Sequence, residues 1–455
     1  MATPQERYDA LIKWLEEAGG CLHPSVEVYH DAVTKGSFRV KEGCAVNQGE
    51  SVVTLPIARS LSYLNAICGH PDFPAVKHRQ IQEAANRTNK DGHGWFPAEF
   101  LRETPPHVVG RFVLMREYLL GSESAWWPYL RTLPQPEHVA GMLPALWPAD
   151  DLEFLVGTNA YVAVQEIKST LKREYKQAMK LLPSDSGYTR PLYLWAYAIF
   201  TSRSFRPSLI VPDAEALALP CEIDDFSVLL PLYDVGNHSP VARTAWRTDR
   251  ETLLCRLISG QTCESGSQVF NNYGMKTNAE LLLGYGFILP EEEYLHNDYV
   301  HVRTKATDDD DLAGTHLVSL RPMTDPTSVV GRSKRLTSDD CAGVATQFAH
   351  IQDSLVTSLY EAITRAAAAA AGEGEDFQDS ATMDDIMAGR IAPPVKERIV
   401  QALGSKLAQD LDVLEEVEVP TEGLNANQQL AVRYREQCVK TLENALRCLA
   451  SDDDD

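Results

Sequence analysis

The chain has 455 residues, of which 44% are hydrophobic, and a formal net charge of −22. Domains average roughly 150 residues, so this length predicts two or three domains and a sizeable buried core. The composition excludes disordered, collagen-like and fibrous proteins. The negative charge disfavours nucleic acid as a partner and favours a basic protein instead.

The nine cysteines are scattered, without a CxxC pair or a histidine-rich neighbour. The sequence therefore predicts neither a zinc site nor a disulfide framework. The chain does not open on an apolar signal segment, and its longest apolar run, around Leu192–Phe200, is much shorter than the ~20 residues that span a membrane. We expect a reduced, soluble protein of the cytoplasm, the nucleus or both, with no membrane partner.

The first predicted element is a short amphipathic helix. Apolar residues recur at helical spacing from Tyr8 to Leu15, and Gly19–Gly20 ends the pattern. Short runs rich in Val, Phe and Thr follow, separated by turn signals, and they predict small antiparallel strands at Ser37–Val40 and Ser51–Leu55.

Residues 66–200 carry mostly helical patterns, and three later runs read as strands: 229–232, 253–258 and 268–271. After residue 308 the pattern is helical to the end, and the last long helix is predicted near 425–449. Three acidic segments are predicted to be loops or a disordered tail: 308–311, 373–379 and 452–455.

The first stretch whose residues could bind a ligand or take part in catalysis is Leu229–Pro240, which reads LLPLYDVGNHSP. An apolar strand runs into polar residues here, so Asn237 and His238 stand where a strand ends and can meet a ligand. An ordinary Asn–His–Ser turn beside a capped Asp234 is an equally open interpretation.

The second stretch is Val269–Pro290. Thr277 and Glu280 have the spacing of a capping box, which predicts a helix that begins at Asn278 and ends by Gly284.

Aromatic residues flank this predicted helix, Tyr273 before it and Tyr285 and Phe287 after it. Such residues are more often part of a core than of a site. In a third stretch, TSRSF, Arg203 follows an apolar helix and could bind a carboxylate ligand through two hydrogen bonds. A surface cation at a helix C-terminus is the commoner arrangement.

Taken together, these stretches resemble the carboxy-terminal half of a SET domain, in particular that of the Rubisco large-subunit methyltransferase-like branch. Trp126–Pro134 (WWPYLRTLP) is similar to a stretch in the helical insert of that branch, and Glu42–Pro56 resembles the strand pair that opens the SET fold. Ala431–Leu442 (AVRYREQCVKTL) looks like the arginine-rich helix of the branch's tail. The resemblance runs from about residue 20 to 450.

The resemblance implies an α+β fold with small SET-type β-sheets and a large helical insert, followed by an all-helical C-terminal substrate-binding domain. The implied division begins with an N-terminal helix and the first part of the SET domain (1–65), followed by the helical insert (66–190). The second part of the SET domain, with the catalytic motifs, spans 191–305. The substrate-binding domain spans 313–450, and an acidic disordered tail follows at 451–455.

The resemblance also implies an S-adenosylmethionine-dependent protein-lysine N-methyltransferase that acts on a non-histone protein and needs no metal. Asn237 and His238 would contact the adenosyl part of the cofactor, and Arg203 would bind its carboxylate. The first strand would add cofactor contacts at Gly36 and Phe38.

For the acceptor, the resemblance implies Tyr273 as the catalytic tyrosine, with Tyr285 and Phe287 as walls of a narrow channel. Ser202 and Asp234 would orient the incoming amine, largely through their backbone carbonyls.

The first strand departs from the family pattern, which usually has a Gly-x-Gly pair. In the register fixed by Pro56, this chain has Ser37-Phe38-Arg39 there, with Gly36 alone beside it. The added side chains could narrow the cofactor cleft unless Arg39 points outward.

Two alternatives keep the SET fold. One changes the acceptor to histidine, although Tyr285 and Phe287 slightly favour lysine, because an imidazole would be better served by a polar partner. The other is a degenerate SET protein that has lost catalysis and acts as an interaction scaffold, which the missing glycine pair would explain.

Overall fold

The computed structural model describes residues 3–31, 35–71, 94–209, 219, 221–291, 298–303, 314–334, 343–371, 381–420 and 422–451. The chain divides into two compact units. The first unit comprises 1–142 and 168–274, and the second comprises 143–167 and 275–455.

The strands of the first unit are short: β1 (Cys21–Leu22), β2 (Val26–Asp31), β3 (Lys35–Val40), β4 (Ser51–Pro56), β5 (Leu61–Ser62), β6 (Ser204–Phe205), β7 (Val228–Leu229), β8 (Thr244–Thr248), β9 (Leu254–Ser259) and β10 (Gln268–Val269). They form three small antiparallel sheets with the orders β1-β4-β9-β8, β10-β3-β2 and β5-β7-β6. The strands predicted at 37–40 and 51–55 are confirmed.

In the described part of the first unit, α1 (Pro4–Glu16) precedes all the strands. The other helices lie between β5 and β6: α2 (Tyr63–Cys68), α3 (Ala98–Glu103), α4 (Pro106–Leu120), α5 (Trp127–Leu130) and α8 (Arg190–Arg203). Helix α7 (Asn159–Ala178) begins in the second unit and ends in the first. The predicted helical character of residues 66–200 is confirmed within the described part.

Helix α1 begins at a complete capping box, because the Thr3 side chain accepts from the backbone of Glu6 while the Glu6 side chain accepts from the backbone of Thr3. Its apolar face buries Tyr8, Leu11 and Leu15, and it packs on β2 and α5. The amphipathic helix predicted here is therefore confirmed.

The described part of the second unit contains a pair of strands, three long helices and four short ones: α6 (Ala149–Leu152), α9 (Asn278–Tyr285), β11 (Tyr299–Arg303), β12 (Thr315–Ser319), α10 (Val329–Lys334), α11 (Asp353–Ala371), α12 (Met383–Met387), α13 (Pro393–Glu415) and α14 (Ala426–Leu449). The prediction of an all-helical chain after residue 308 is wrong at β12. Residues Thr315–Ser319 pair with β11 in antiparallel register. Contacts across the strand pair outweigh the helical tendency of so short a segment.

Helix α9 confirms the predicted capping box, because Thr277 caps it and it begins at Asn278. It ends at Tyr285, one residue beyond the predicted end. Gly286 then takes the left-handed conformation with φ 76°, which suits a glycine at the end of a helix.

The three predicted acidic loops and tail, 308–311, 373–379 and 452–455, lie outside the described residues. Within the described ranges, no helix combines the length and the hydropathy needed to cross a bilayer.

Candidate active site

Two segments of the first unit run side by side and carry the predicted site. The backbone N–H of Asn271 donates to the carbonyl of Asn237 at 2.8 Å, and Ser239 N–H donates to the carbonyl of Asn271 at 3.0 Å. His238 and Asn271 thereby form a parallel bridge. The sequence motif is thus joined to the strand-end residues that precede Tyr273.

His238 and Tyr273 are in direct contact. Their rings stack with centroids 5.0 Å apart and planes 18° from parallel. The backbone N–H of Tyr273 donates to Nδ1 of His238 at 3.1 Å, so a neutral His238 carries its proton on Nε2. The Tyr273 hydroxyl donates to the carbonyl oxygen of Gly236 at 2.9 Å. Both ends of the tyrosine are therefore fixed by the 236–238 segment.

Gly236 is a point of close approach. A Cβ at this position would lie 3.3 Å from Cβ of Asn271 and 3.3 Å from the ring of Phe38. Phe38 is 1% exposed, so its side chain packs beneath the Gly236 segment. The predicted residues Phe38, His238 and Tyr273 are thus brought together in one place.

Asn237 connects this segment to the sheet that contains β3. Its Nδ2 donates to Oγ of Ser37 and, at 2.9 Å, to Oε1 of Gln268. Gln268 in turn donates to the hydroxyl of Tyr29 at 3.0 Å. Ser37 and Gln268, which orient Asn237, were not predicted. The only sequence signal for them was a serine at a position where the family usually has glycine.

Arg39 points outward. Its guanidinium pairs with the carboxylate of Glu27 at 2.6 Å and lies 4.6 Å from the ring centroid of Tyr29. The departure from the Gly-x-Gly pattern therefore does not place the Arg39 side chain in the candidate site.

Arg203, the last residue of α8, is ion-paired below the surface. Its Nη1 donates to the carbonyl oxygen of Asp234 at 3.1 Å and to carboxylate oxygen Oδ2 of Asp234 at 3.3 Å. The Tyr129 hydroxyl donates to the same Oδ2 at 2.9 Å. Burial is the largest influence on the pKa of Arg203 and lowers it, but the Asp234 carboxylate and the nearby tyrosines together outweigh burial and raise the pKa of the guanidinium.

The opposite edge of Arg203 is available for a ligand. Within the described part of the chain, Nε and Nη2 have no hydrogen-bond acceptor, and the side chain is 21% exposed. A guanidinium presents these two nitrogens side by side, in the geometry that matches a carboxylate. Arg203 therefore fits the carboxylate of S-adenosylmethionine.

The strand predicted over 229–232 is shorter than expected. It ends at Leu229, Leu232 has φ 74°, and Tyr233–Val235 form a turn of 3-10 helix. This sharp bend turns the backbone at Asp234 toward Arg203.

The amine-orienting roles of Ser202 and Asp234 remain predictions. The Ser202 hydroxyl donates to the carbonyl of Ala198 within α8 at 2.8 Å. The Asp234 carbonyl accepts from Arg203.

Tyr285 and Phe287 belong to the second unit. They stand at the end of α9, on either side of Gly286, with ring centroids 6.3 Å apart at 63°. Burial raises the pKa of the Tyr285 phenol, so this hydroxyl stays neutral. Their role as walls of an acceptor channel remains a prediction.

No family model matches the chain. Among curated proteins, the chain is 36% identical over 211 residues to ribosomal lysine N-methyltransferase set10 of Schizosaccharomyces pombe. The matched region covers 44% of this chain and 36% of that protein. It is 26% identical over 217 residues to actin-histidine N-methyltransferase of Xenopus tropicalis, covering 46% of this chain and 34% of that protein. The chain thus spans about a third of the length of these relatives.

Among solved structures, Rubisco LSMT bound to AdoMet matches 99% of this chain and 92% of its own chain, with a TM-score of 0.63 and 18% identity. The SET domain of LSMT bound to lysine and AdoHcy matches 97% of this chain and 90% of its own, with a TM-score of 0.62 and 15% identity. The α+β fold that the motifs implied is therefore confirmed, and the chain has the fold of the SET-domain proteins that resemble the Rubisco large-subunit methyltransferase.

Proposed function

We propose that this protein is an S-adenosylmethionine-dependent protein-lysine N-methyltransferase that acts on a non-histone protein. The observation that carries the proposal is the contact between the Asn237–His238 segment and Tyr273, whose hydroxyl is held on the carbonyl of Gly236. The name of set10 as a lysine methyltransferase and the AdoMet and lysine bound in the LSMT structures support the same chemistry.

The first unit supplies the groups for the cofactor. The open edge of Arg203 would bind its carboxylate, and the backbone at Asn237 and His238 would contact its adenosyl part. Gly36 and Phe38 would complete the cleft from β3. When bound there, S-adenosylmethionine supplies the methyl group.

The other residues act on the acceptor. A lysine amine has a pKa of ~10.4 in water and is protonated at neutral pH, so it must lose a proton before it can attack. Aromatic walls at Tyr285 and Phe287 would disfavour the ammonium form by desolvation. The Tyr273 hydroxyl donates its own proton to the carbonyl of Gly236, so its oxygen would serve as the acceptor of a hydrogen bond from the neutral amine. Most of the rate acceleration would come from this positioning.

The proposed substrate is a basic protein. The net charge of −22 would attract a basic surface, and the helices between residues 313 and 450 would dock it. The name of set10 points to ribosomal proteins, which are generally basic, as the first substrates to test. With such a substrate, we expect the protein to act in the cytoplasm, the nucleus or both.

A second candidate is a protein-histidine methyltransferase of the same fold. The observation that favours it is the similarity to actin-histidine N-methyltransferase. The hydrophobic pair Tyr285 and Phe287 favours lysine over imidazole.

The experiment incubates the full chain with radiolabelled S-adenosylmethionine and either a cell lysate or purified ribosomal proteins, and mass spectrometry then locates the label. Tyr273→Phe is the matched control, because it keeps the ring that stacks on His238. Label on lysine that disappears with this variant supports the proposal. Label on histidine establishes the second candidate. An unlabelled lysate together with no calorimetric heat from S-adenosylmethionine contradicts both and favours the scaffold.

A further inference from the structure

Tyr8 lies beside the candidate cofactor site, although it belongs to none of the sequence motifs that identified this site. The residue belongs to α1 and is 7% exposed, because α1 lays its apolar face on β2 and α5. Its aromatic ring is therefore packed inside the first unit.

The Tyr8 ring takes the space that a side chain at position 36 would need. A Cβ on Gly36 would lie 2.9 Å from Cζ of Tyr8, closer still to the hydroxyl oxygen, and 3.4 Å from Cγ1 of Val235. Real Cβ atoms do not approach other atoms as closely as this one would approach Tyr8, whereas its distance to Val235 is an ordinary contact. Because Gly36 of β3 has no side chain, the Tyr8 hydroxyl can lie against the backbone of β3 at the candidate cofactor site.

The Tyr8 hydroxyl also lies near the Arg203–Asp234 pair. Burial raises the pKa of Tyr8, the charge of Arg203 lowers it, and the charge of Asp234 raises it. The geometry agrees, because a Cβ on Gly36 would touch both the Tyr8 hydroxyl and Cγ1 of Val235, the residue that follows Asp234.

The Tyr8 hydroxyl has no hydrogen-bond partner among the residues that the structure describes. The hydroxyl oxygen is not among the sealed, unbonded side-chain atoms of the described residues, so a ligand that enters the cleft can reach it. Nε and Nη2 of Arg203 are in the same situation. Three donors close to one another therefore lack an acceptor, and the acceptor that would satisfy them together is a carboxylate.

We propose that Tyr8 is a cofactor-binding residue, whose hydroxyl joins Nε and Nη2 of Arg203 in binding the carboxylate of S-adenosylmethionine. The inference rests on the proposed function, because that function supplies the ligand. It extends the cofactor site to the N-terminal helix.

The experiment measures calorimetric binding of S-adenosylmethionine and of its decarboxylated analogue to the wild-type chain and to Tyr8→Phe. This variant removes only the hydroxyl. A hydrogen bond to a charged group predicts that it weakens binding of S-adenosylmethionine about tenfold and leaves binding of the analogue unchanged. Because the hydroxyl has no bond within the protein, the thermal midpoint without ligand stays unchanged.

Tyr175→Phe is the matched control. The Tyr175 hydroxyl donates to the carbonyl of Tyr188 at 2.8 Å, within the same unit. Losing that bond should lower the thermal midpoint and leave the affinity for both ligands as it is.

The possible outcomes separate the two proposals. If the wild-type chain binds S-adenosylmethionine and Tyr8→Phe binds it equally well, the Tyr8 assignment is wrong and the proposed function stands. If Tyr8→Phe weakens both ligands to the same extent, the hydroxyl does not contact the carboxylate, and the assignment is again wrong. A wild-type chain that binds neither ligand overturns the proposed function and the assignment with it.

Discussion

Arg203 binds Asp234 through a single nitrogen, Nη1, which donates to both the carbonyl and the carboxylate of that residue. The Asp234 side chain is only 2% exposed. The pair fixes the position of the Arg203 guanidinium, which neutralises a buried charge and, in the proposed function, binds the cofactor. Mutation can separate these two roles.

Arg203→Ala should lose both roles. We expect cofactor affinity to fall at least tenfold, since a charge-assisted carboxylate contact is removed. Stability should fall by about 3 kcal/mol, because Asp234 is left buried without its counter-charge. The double variant Arg203→Ala/Asp234→Asn should regain most of the stability, since the amide oxygen can still accept from Tyr129, but none of the affinity. Calorimetry and thermal unfolding of both variants measure the two effects. Full affinity in Arg203→Ala would show that the carboxylate binds elsewhere.

Tyr273→Phe should separate binding from catalysis. The ring contact with His238 is kept, so we expect cofactor affinity to stay within a few-fold of wild type. Methyl transfer should fall roughly a hundredfold or more, because the variant lacks the hydroxyl that is proposed to hold the amine. Calorimetry and initial rates of label transfer test the two statements. Unchanged turnover would mean that another tyrosine is the catalytic one.

Glu174 should make the first unit sensitive to acid. It accepts from His107 at 2.9 Å, Arg111 at 2.6 Å and Tyr193 at 2.9 Å, which joins α7 to α4 and α8. Burial alone would raise the pKa of Glu174, but these partners outweigh it and lower the pKa to about 2. The unfolded chain has the higher pKa of ~4.3, so the stabilisation is complete above pH 5 and is lost as pH falls toward 2.

Glu174→Gln is the test of this prediction. It should cost roughly 2 kcal/mol at pH 7 and much less near pH 3, where the wild-type carboxylate loses its advantage. Thermal unfolding at both pH values measures the difference. Equal costs at the two pH values would show that the charge of Glu174 contributes nothing.

Asp298 should make the stability of the second unit fall as pH rises, which is the opposite of the effect of Glu174 on the first unit. It is 2% exposed, and its Oδ1 accepts from Asn278 at 3.0 Å. Burial raises the pKa of Asp298 to about 6, although the bond from Asn278 opposes the shift. The folded state therefore keeps a proton that the unfolded chain releases near pH 4, and stability falls as pH rises from 4 to 6.

Asp298→Asn removes that ionisation and keeps an oxygen for Asn278. The variant should be more stable than wild type at pH 7, by roughly 2 kcal/mol, and equal to it near pH 4. Unfolding curves across this range give the comparison. A variant that is less stable at every pH would show that the carboxylate is required in its charged form.

The parts of the structure that follow from neighbouring residues were predictable from the sequence. The capping box of Thr277 and Glu280 fixed the first residue of α9, since both partners lie within one helical turn. The association of His238 with Tyr273 followed from the family motif. Its physical basis, backbone pairing between two distant segments, could not be read from either segment alone.

The residues that were missed act through long-range contacts. Asn237 and Ser37 are 200 positions apart in the chain, and Tyr129 is 105 positions from Asp234. The spacing of Tyr8 in the sequence predicts only a place on the apolar face of a helix, because that spacing is typical of a core residue. A hydrophobic pattern reports that a residue is buried, but not which polar groups its hydroxyl will meet.

The path of the chain through the two units has a practical consequence for dissecting the protein. The segment 143–167 leaves the first unit and contributes Leu152, Leu155 and Val164 to the same buried cluster as Phe348 and Leu442. A fragment that starts at Met275 would lack these side chains, and missing large apolar groups cost about 2–5 kcal/mol each. Expression of the C-terminal helices for pull-down studies therefore calls for a fusion that brings 143–167 along, rather than a simple N-terminal deletion.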